Sequence, residues 1–321
     1  LVVTTDAIVE GVHFLPHDPI ATVAMKAVRV NVSDLIGKGA RPVAGLITLI
    51  WQRNRSVDDL TLFAEAIQGE LEHFGIQLLG GDTTSTPGPL TVSITLFGAP
   101  LGARTPARAD AQAGEDVWIA GGELGSAWMG LQLRTGAMTL DDLRRGRDEA
   151  AARAESEAMA ASMPPALVLP GEAFDAEAGW LMSTYLAPLL HTECAEVVAR
   201  FARASMDVSD GLWADAAKLA AASGVAIRIE ANAIPFSAPA ARWAQTGGDF
   251  RKLISGGDDY VVLFTAAPAA RPALEELEAQ AQLGLARIGV VEAGAGVSVV
   301  DRNGVAVPPP AEAGHAHKLG R

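Results

Sequence analysis

Apolar and polar positions divide the chain into stretches of two periods. Leu1 to Thr5 is apolar and β-branched, which predicts a strand. From Asp18-Pro19 onward the period lengthens, and Ile20, Val23, Ala24, Ala27 and Val28 recur at helical spacing. Continued, that stripe takes in Asn31, Asp34 and Leu35, so a carboxylate falls on the inward face of the helix near its end. Gly37, Gly39 and Pro42 stop the helix. Val43 to Trp51 reads as a strand and Val57 to Phe74 as a helix. Ile76 to Leu79 reads as a strand running into GGDTTST, and Leu90 to Phe97 alternates as a further strand. The first unit is therefore β-α-β-α-β-β.

A segment rich in Arg, Ala and Pro, from about Pro100 to Gly114, predicts a boundary between an N-terminal α/β unit over residues 1–108 and a C-terminal one over 109–321. Asp116 to Ala120 predicts a strand feeding GGELGSAWMG and a helix. Thr139 to Ala161 is then crowded with Ala, Glu, Asp and Arg, and Pro164, Pro165 and Pro170 follow. This reads as a peripheral helical insertion with a proline-rich return, about residues 137–190. The second unit resumes near Ala195, with a strand at Ser205 to Ser209 and a helix from Ser209 to Ser223 closed by Gly224. Further strands are expected at Val225 to Ile229, after GGDDY, at Ala286 to Val291 and at Val297 to Val300. Alternating strands and helices predict α/β (α+β) layers, and 321 residues leave room for two domains.

Composition narrows the function classes. With 49% hydrophobic and 20% charged residues the chain can bury real cores. A net charge of −13 argues against nucleic acid as a partner, which asks for a basic footprint. Phosphates remain accessible to such a protein when cations mediate. The one cysteine, Cys194, allows no internal disulfide, and the six histidines form no zinc pattern, so a reducing, cytoplasmic setting is expected. No apolar run reaches the length of a membrane span, and no secretory pattern is present. The chain opens on Leu1 inside a predicted strand, so natural upstream sequence is expected to precede it.

Five short motifs set an aspartate beside glycine, serine or threonine: TTD (Thr4, Thr5, Asp6), NVSD (Asn31 to Asp34), GGDTT (Gly80 to Thr84), DVSDG (Asp207 to Gly211) and GGDDY (Gly256 to Tyr260). Hard cations such as Mg²⁺ take carboxylate and hydroxyl oxygens and bridge to phosphates. Each motif also has a structural reading. Asp6 can end a strand, and Asp34 can form a salt bridge. Gly81-Asp82 can be a turn, Ser209 or Asp210 can N-cap a helix, and Asp258 with Asp259 can be a solvated pair. His13 and Arg108 are either surface residues or contacts to a phosphate held nearby. Other nucleotide signatures are missing: there is no GxxxxGK[ST], and GGELGS lacks the acidic residue a dinucleotide loop needs.

Taken in order, the motifs resemble the thiamine-monophosphate kinase family of the aminoimidazole-ribonucleotide-synthetase-like superfamily. TTDAIVEGVHF is similar to that family's TTD-x-x-VEGVHF, and NVSDLIGKGARP to its N-x-SD-x-x-x-x-GA-x-P. GGDTT, SMDVSDGL and GGDDY follow in the family's order, and the likeness covers nearly all of the chain outside about 137–190. The resemblance implies a two-domain fold whose N-terminal sheets pair across a homodimer. It implies ATP-dependent phosphorylation of thiamine monophosphate to the diphosphate, with several Mg²⁺ ions and direct in-line transfer. By position, Thr4, Thr5, Asp6, Asp34, Asp82, Asp207 and Asp210 would hold Mg²⁺. Gly81, Asp82, Arg108 and Ser209 would contact ATP, and His13 and Asp258 thiamine monophosphate. His315 stands where the family has an aromatic residue against the thiamine. The chain departs in three further places: the family's GDDA-type motif upstream of TTD is absent, the glutamate of its GGEDY is Asp258, and its Pro-x-Pro-Arg stretch reads Ala187-Pro188-Leu189-Leu190-His191, so no basic residue is assigned there. Another ATP-using synthetase of the superfamily, or a non-catalytic thiamine-phosphate binder, is the alternative expectation.

Overall fold

A computed structural model describes residues 1–147 and 175–314. The first unit contains β1 (Val2–Val9), α1 (Ile20–Gly37), β2 (Ala40–Gln52), α2 (Val57–His73), β3 (Gln77–Thr86) and β4 (Thr91–Pro100). Its sheet runs β1-β4-β2-β3, antiparallel except for the β2/β3 pair. Alternation decides the faces. Val92, Ile94 and Leu96 of β4 are buried in the same core as Val23, Ala27, Val28 and Leu35 of α1. On the other face Val3 and Leu46 are exposed; Leu78 and Leu79 are exposed on the edge strand β3, Leu78 in register with Leu96 through Gly45. GGDTT is neither a turn nor a strand end, because β3 runs straight through it to Thr86. Glycine at position 81 serves that pairing: a Cβ there would sit 1.9 Å from the Ile47 carbonyl oxygen on β2.

The second sheet has seven strands: β5 (Asp116–Ala120), β6 (Ser205–Asp207), β7 (Ala226–Glu230), β8 (Val262–Ala266), β9 (Ala286–Glu292), β10 (Gly296–Val300) and β11 (Ala306–Val307). Their order is β11-β10-β7-β9-β5-β8-β6, and only the β10/β7 pair is parallel. The helices of this half are α3 (Ser126–Arg134), α4 (Leu140–Arg144), α5 (Ala176–Leu186), α6 (Cys194–Phe201), α7 (Leu212–Ser223), α8 (Ala238–Gln245), α9 (Phe250–Leu253) and α10 (Arg271–Ala281).

Three expectations change here. The predicted insertion is not peripheral in its last part. Leu181, Tyr185 and Leu186 of α5 are buried, and α5 packs so closely on α3 that a Cβ on Gly130 would meet the Leu181 carbonyl oxygen at 2.0 Å. The middle of that predicted segment lies outside the described residues. The strand expected to reach Ser209 stops at Asp207, and the helix expected from Ser209 begins at Leu212. The short β11 was not foreseen, since two residues carry no periodic signal.

Helix α1 joins the two halves. It is buried almost all round, as a helix inside a core must be. Its last residue, Gly37, lies against β6, and a Cβ there would stand 3.0 Å from the Asp207 backbone nitrogen. Ser205 Oγ donates to the Gly37 carbonyl across this junction. The end of α1, which carries Asp34, is thereby held against the strand that ends in Asp207.

Candidate active site

A cleft of about 490 Å³ opens at that junction. Its walls include Asp6, His13, Asp34, Arg108, Asp207, Ser209, Asp210 and Asp258, most of the residues singled out in the sequence.

The acidic wall is assembled from three elements. Thr4 and Asp6 sit on the face of β1 that meets α1, and Thr4 Oγ1 donates to Asp34 Oδ2. The Asp6 backbone N–H donates to Asn31 Oδ1 at 3.0 Å, while Asn31 Nδ2 donates back to the Ala27 carbonyl at 3.0 Å. Asn31 is thus a bracket between helix and strand. Ser33 Oγ donates to Asp207 Oδ2 at 3.2 Å. Burial, then the neighbouring Asp34 carboxylate, push Asp6 up to about 6. Burial, with Asp34 and Asp215 adding to it, holds Asp207 well above the usual carboxylate range.

Positive charge on this wall is scarce. Lys38 donates to the carbonyls of Pro106 and Ser205, and burial beside Arg108 lowers it to about 8. Among the described residues no three acidic or histidine side chains are already gathered round one point, so the carboxylates form a wall rather than a closed cage. The donor set of carboxylate and hydroxyl oxygens, crowded enough to raise its own pKa values, fits a hard divalent cation such as Mg²⁺.

Asp210 follows a turn, not a helix cap. Gly211, at φ 108°, is the N-cap of α7, with no side-chain cap bond. The Asp210 backbone N–H donates to the buried Asp215 at 2.9 Å, and Lys218 bridges the two carboxylates, 2.7 Å from Asp215. Arg108 opens a single turn of 3₁₀ helix whose carbonyl accepts from Ser223 Oγ at 2.7 Å.

At the far end of the cleft His13 Nδ1 accepts from the Val9 N–H at 3.0 Å, which leaves the ring proton on Nε2. The GGDDY loop is pinned to the DVSDG loop by two backbone bonds of 2.9 Å, Asp258 N–H to the Ser209 carbonyl and Tyr260 N–H to that of Val208. Asp258 and Tyr260 both have positive φ, 63° and 51°. Asp259 does not reach the acidic wall: its Oδ1 accepts from the Gly125 N–H at 3.0 Å ahead of α3.

Thr5, Gly81 and Asp82 are not brought to this cleft. Asp82 is in register with Thr48, Thr48 with Ser93, and Ser93 with Ala7. Paired residues share a face, so Asp82 lies on Ala7's face of the sheet, opposite Asp6. It is also three strands away, about 14 Å at the usual strand spacing. Thr5 Oγ1 accepts from Thr95 Oγ1 at 3.0 Å on that same open face. His315 lies outside the described residues.

Several contributors gave little signal in the sequence. Ser33 and Asp215 sit inside or just beyond motifs already noted. Lys38 sits at an unspecified position of NVSDLIGKGARP, and Lys26, Tyr185 and Lys218 belong to no motif; for Lys26 the clue was a charge in the middle of an apolar helix.

The AIR synthase related protein family matches this chain with its N-terminal domain over residues 1–99 and its C-terminal domain over residues 172–302. A curated relative, thiamine-monophosphate kinase of Caulobacter vibrioides, is 33% identical over 304 residues, 93% of this chain and 75% of the relative. Among solved structures, AaThiL complexed with AMPPCP and TMP superposes with a TM-score of 0.76 at 29% identity, covering 98% of this chain and 86% of that one. Thiamine-monophosphate kinase from Stenotrophomonas maltophilia K279a superposes at 0.73 with 32% identity, covering 95% of this chain and 86% of that one. An acidic cleft between a four-stranded and a seven-stranded sheet, matched over nearly the whole chain, makes this protein a member of the AIR synthase related family, among the thiamine-monophosphate kinases.

Proposed function

We propose that this protein transfers the γ-phosphoryl group of ATP to thiamine monophosphate and releases thiamine diphosphate. The observation that carries the reading is the carboxylate wall of Asp6, Asp34 and Asp207, built by two sheets around one helix, with His13 and Asp258 at the other end of the same cleft.

The acceptor is itself a phosphate. Its second pKa is about 6, so at neutral pH it is already a nucleophilic anion and needs no general base. The barrier comes from bringing it to an anionic triphosphate, and positioning with charge compensation is the main work. Thr4, Asp6, Asp34, Asp207 and Asp210 would hold Mg²⁺, which supplies that charge compensation when bound. Arg108 offers a planar fork to the nucleotide phosphates from its anchored turn. His13 offers a proton on Nε2 to the acceptor phosphate. Phe14, Leu15, Leu131 and Tyr185 line the acceptor end and keep water from it. Transfer is direct, without a phosphoenzyme.

The open face of the first sheet supports a homodimer. Val3 and Leu46 are 54% and 40% exposed on that face, an apolar area that two copies would cover by pairing. We divide the chain at residues 108 and 109, between the two sheets. A cytoplasmic setting is in keeping with ATP as co-substrate. Among the described residues no helix is long and apolar enough to cross a membrane. Incubation with ATP, Mg²⁺ and thiamine monophosphate, followed by chromatography, tests the reading. Thiamine diphosphate is the expected product; ATP consumption without it would point to another synthetase of the superfamily.

A further inference from the structure

Lys26 is 2% exposed, near the middle of α1. A buried ammonium is costly unless its donors find partners. It donates to Asp258 Oδ2 at 3.0 Å and to the His13 carbonyl at 3.1 Å, and its Nζ lies 4.2 Å from the centroid of the Tyr185 ring. Those partners come from three separate segments: the loop after β1, the loop before β8, and α5. His13, Tyr185 and Asp258 line the cleft, and Lys26 stands behind them.

The contacts around Lys26 are themselves fixed. Asp258 Oδ1 accepts from the Tyr260 hydroxyl at 3.1 Å, so both of its oxygens are held. The Tyr185 hydroxyl donates to Asp18 at 3.4 Å, and Arg134 holds Asp18 at 2.6 Å. Asp258 keeps a left-handed backbone that a non-glycine residue adopts only where its surroundings impose it. The Lys26 ammonium is one such constraint, and the one that also fixes His13.

We infer that Lys26 is a positioning residue for the phosphate acceptor. Its single charge sets the separation of His13 and Asp258 and cancels the carboxylate that would otherwise face the acceptor's phosphate. The inference rests on the reading that a phosphorylated organic cation binds at this end of the cleft. Lys26 touches neither the acidic wall nor Arg108, so its influence is confined to the acceptor side.

The test is steady-state kinetics of Lys26→Met, Lys26→Arg, Asp258→Asn and the Lys26→Met/Asp258→Asn double variant, each checked for folding by circular dichroism. Lys26→Met should raise the KM for thiamine monophosphate about 30-fold and leave the KM for ATP within about two-fold. In the double variant the lysine change should add less than about three-fold to the effect of Asp258→Asn, because the two act as a unit. Lys26→Arg keeps the charge but changes its geometry, and should show the same split with a smaller rise; it carries the test should Lys26→Met not fold. Both KM values rising together, or an acceptor KM within about two-fold of wild type, would overturn the inference while leaving the kinase reading intact. Wild-type protein that binds ATP and makes no thiamine diphosphate would overturn the reading itself.

Discussion

Ser33 on α1 donates to Asp207 at the end of β6 across 3.2 Å, so a side chain from one half of the molecule holds a carboxylate of the other. That bond favours the ionised carboxylate against a burial that opposes it. Ser33→Ala should therefore raise the Mg²⁺ concentration for half-maximal activity by about 10- to 150-fold, the range that about 1.5–3 kcal/mol for one hydrogen bond to a charged group gives, with kcat restored at saturating Mg²⁺. Asp207→Asn should cut kcat by at least about 100-fold at any Mg²⁺ concentration, with the fold intact. Mg²⁺ titrations of both variants check this. Full activity of Asp207→Asn at high Mg²⁺ would remove Asp207 from the wall's chemistry.

The crowded carboxylates also set how stability follows pH. An unfolded aspartate titrates near 3.9, whereas Asp6 in the folded chain titrates at about 6 and Asp207 also lies well above its usual range. Between those values the folded state holds more protons than the unfolded one. Stability without metal is therefore complete below about pH 4 for these groups, and falls as pH rises through about 6. Thermal melts in EDTA should show Tm declining over that window. Asp6→Asn should flatten the decline and raise the metal-free Tm at pH 7. Added Mg²⁺ should reverse the trend, because a ligand that binds only the folded state stabilises it more as the carboxylates ionise.

Asp82 presents a separate case. The family resemblance makes it a metal ligand, yet it lies on the face of the first sheet opposite Asp6 and three strands away. One chain cannot bring the two together. If the open faces pair, Asp82 serves the cleft of the other copy. Asp6→Asn and Asp82→Asn should each be nearly inactive alone. A refolded equimolar mixture should regain about a quarter of wild-type activity: half of the dimers are mixed, and one of their two clefts has both aspartates intact. A mixture as inactive as its components would leave Asp82 without a role in trans.

Part of this site was legible in the sequence because NVSD and DVSDG mark the ends of α1 and β6, where small residues and aspartates coincide for reasons of backbone geometry; TTD and GGDTT instead lie within strands. The period of α1 placed Asp34 on an inward face, and the structure has it there beside Thr4 and Asp207. The face assigned to Asp82 was not legible. GGDTT has the composition of a turn, but pairing with β2 keeps it extended, and in a strand one residue of register changes the face. Tyr185 was lost because its segment follows a stretch with the composition of an exposed insertion, although α5 itself is packed into the core. Lys26 required knowledge of what the opposite loops place against it, which no local pattern contains.

Gly37 gives the tightest test of how the halves are joined. Replacing glycine by alanine within a helix ordinarily stabilises by up to about 1 kcal/mol, and the backbone here has no positive φ to forbid it. Here the added Cβ would stand 3.0 Å from the Asp207 nitrogen and 3.3 Å from the Met206 carbonyl carbon, backbone atoms that cannot rotate aside. Overpacking of this kind costs about 1–3 kcal/mol. The clash should outweigh the helix propensity, which is smaller still at the last residue of a helix. Gly37→Ala should lose roughly 1–2 kcal/mol in urea unfolding, and kcat should fall at least about ten-fold, because the shift moves Asp34 relative to Asp207. A variant that is more stable than wild type and equally active would mean that the contact between α1 and β6 yields without disturbing the carboxylates. The positions of the two halves would then be set by the GGDDY and DVSDG loops instead.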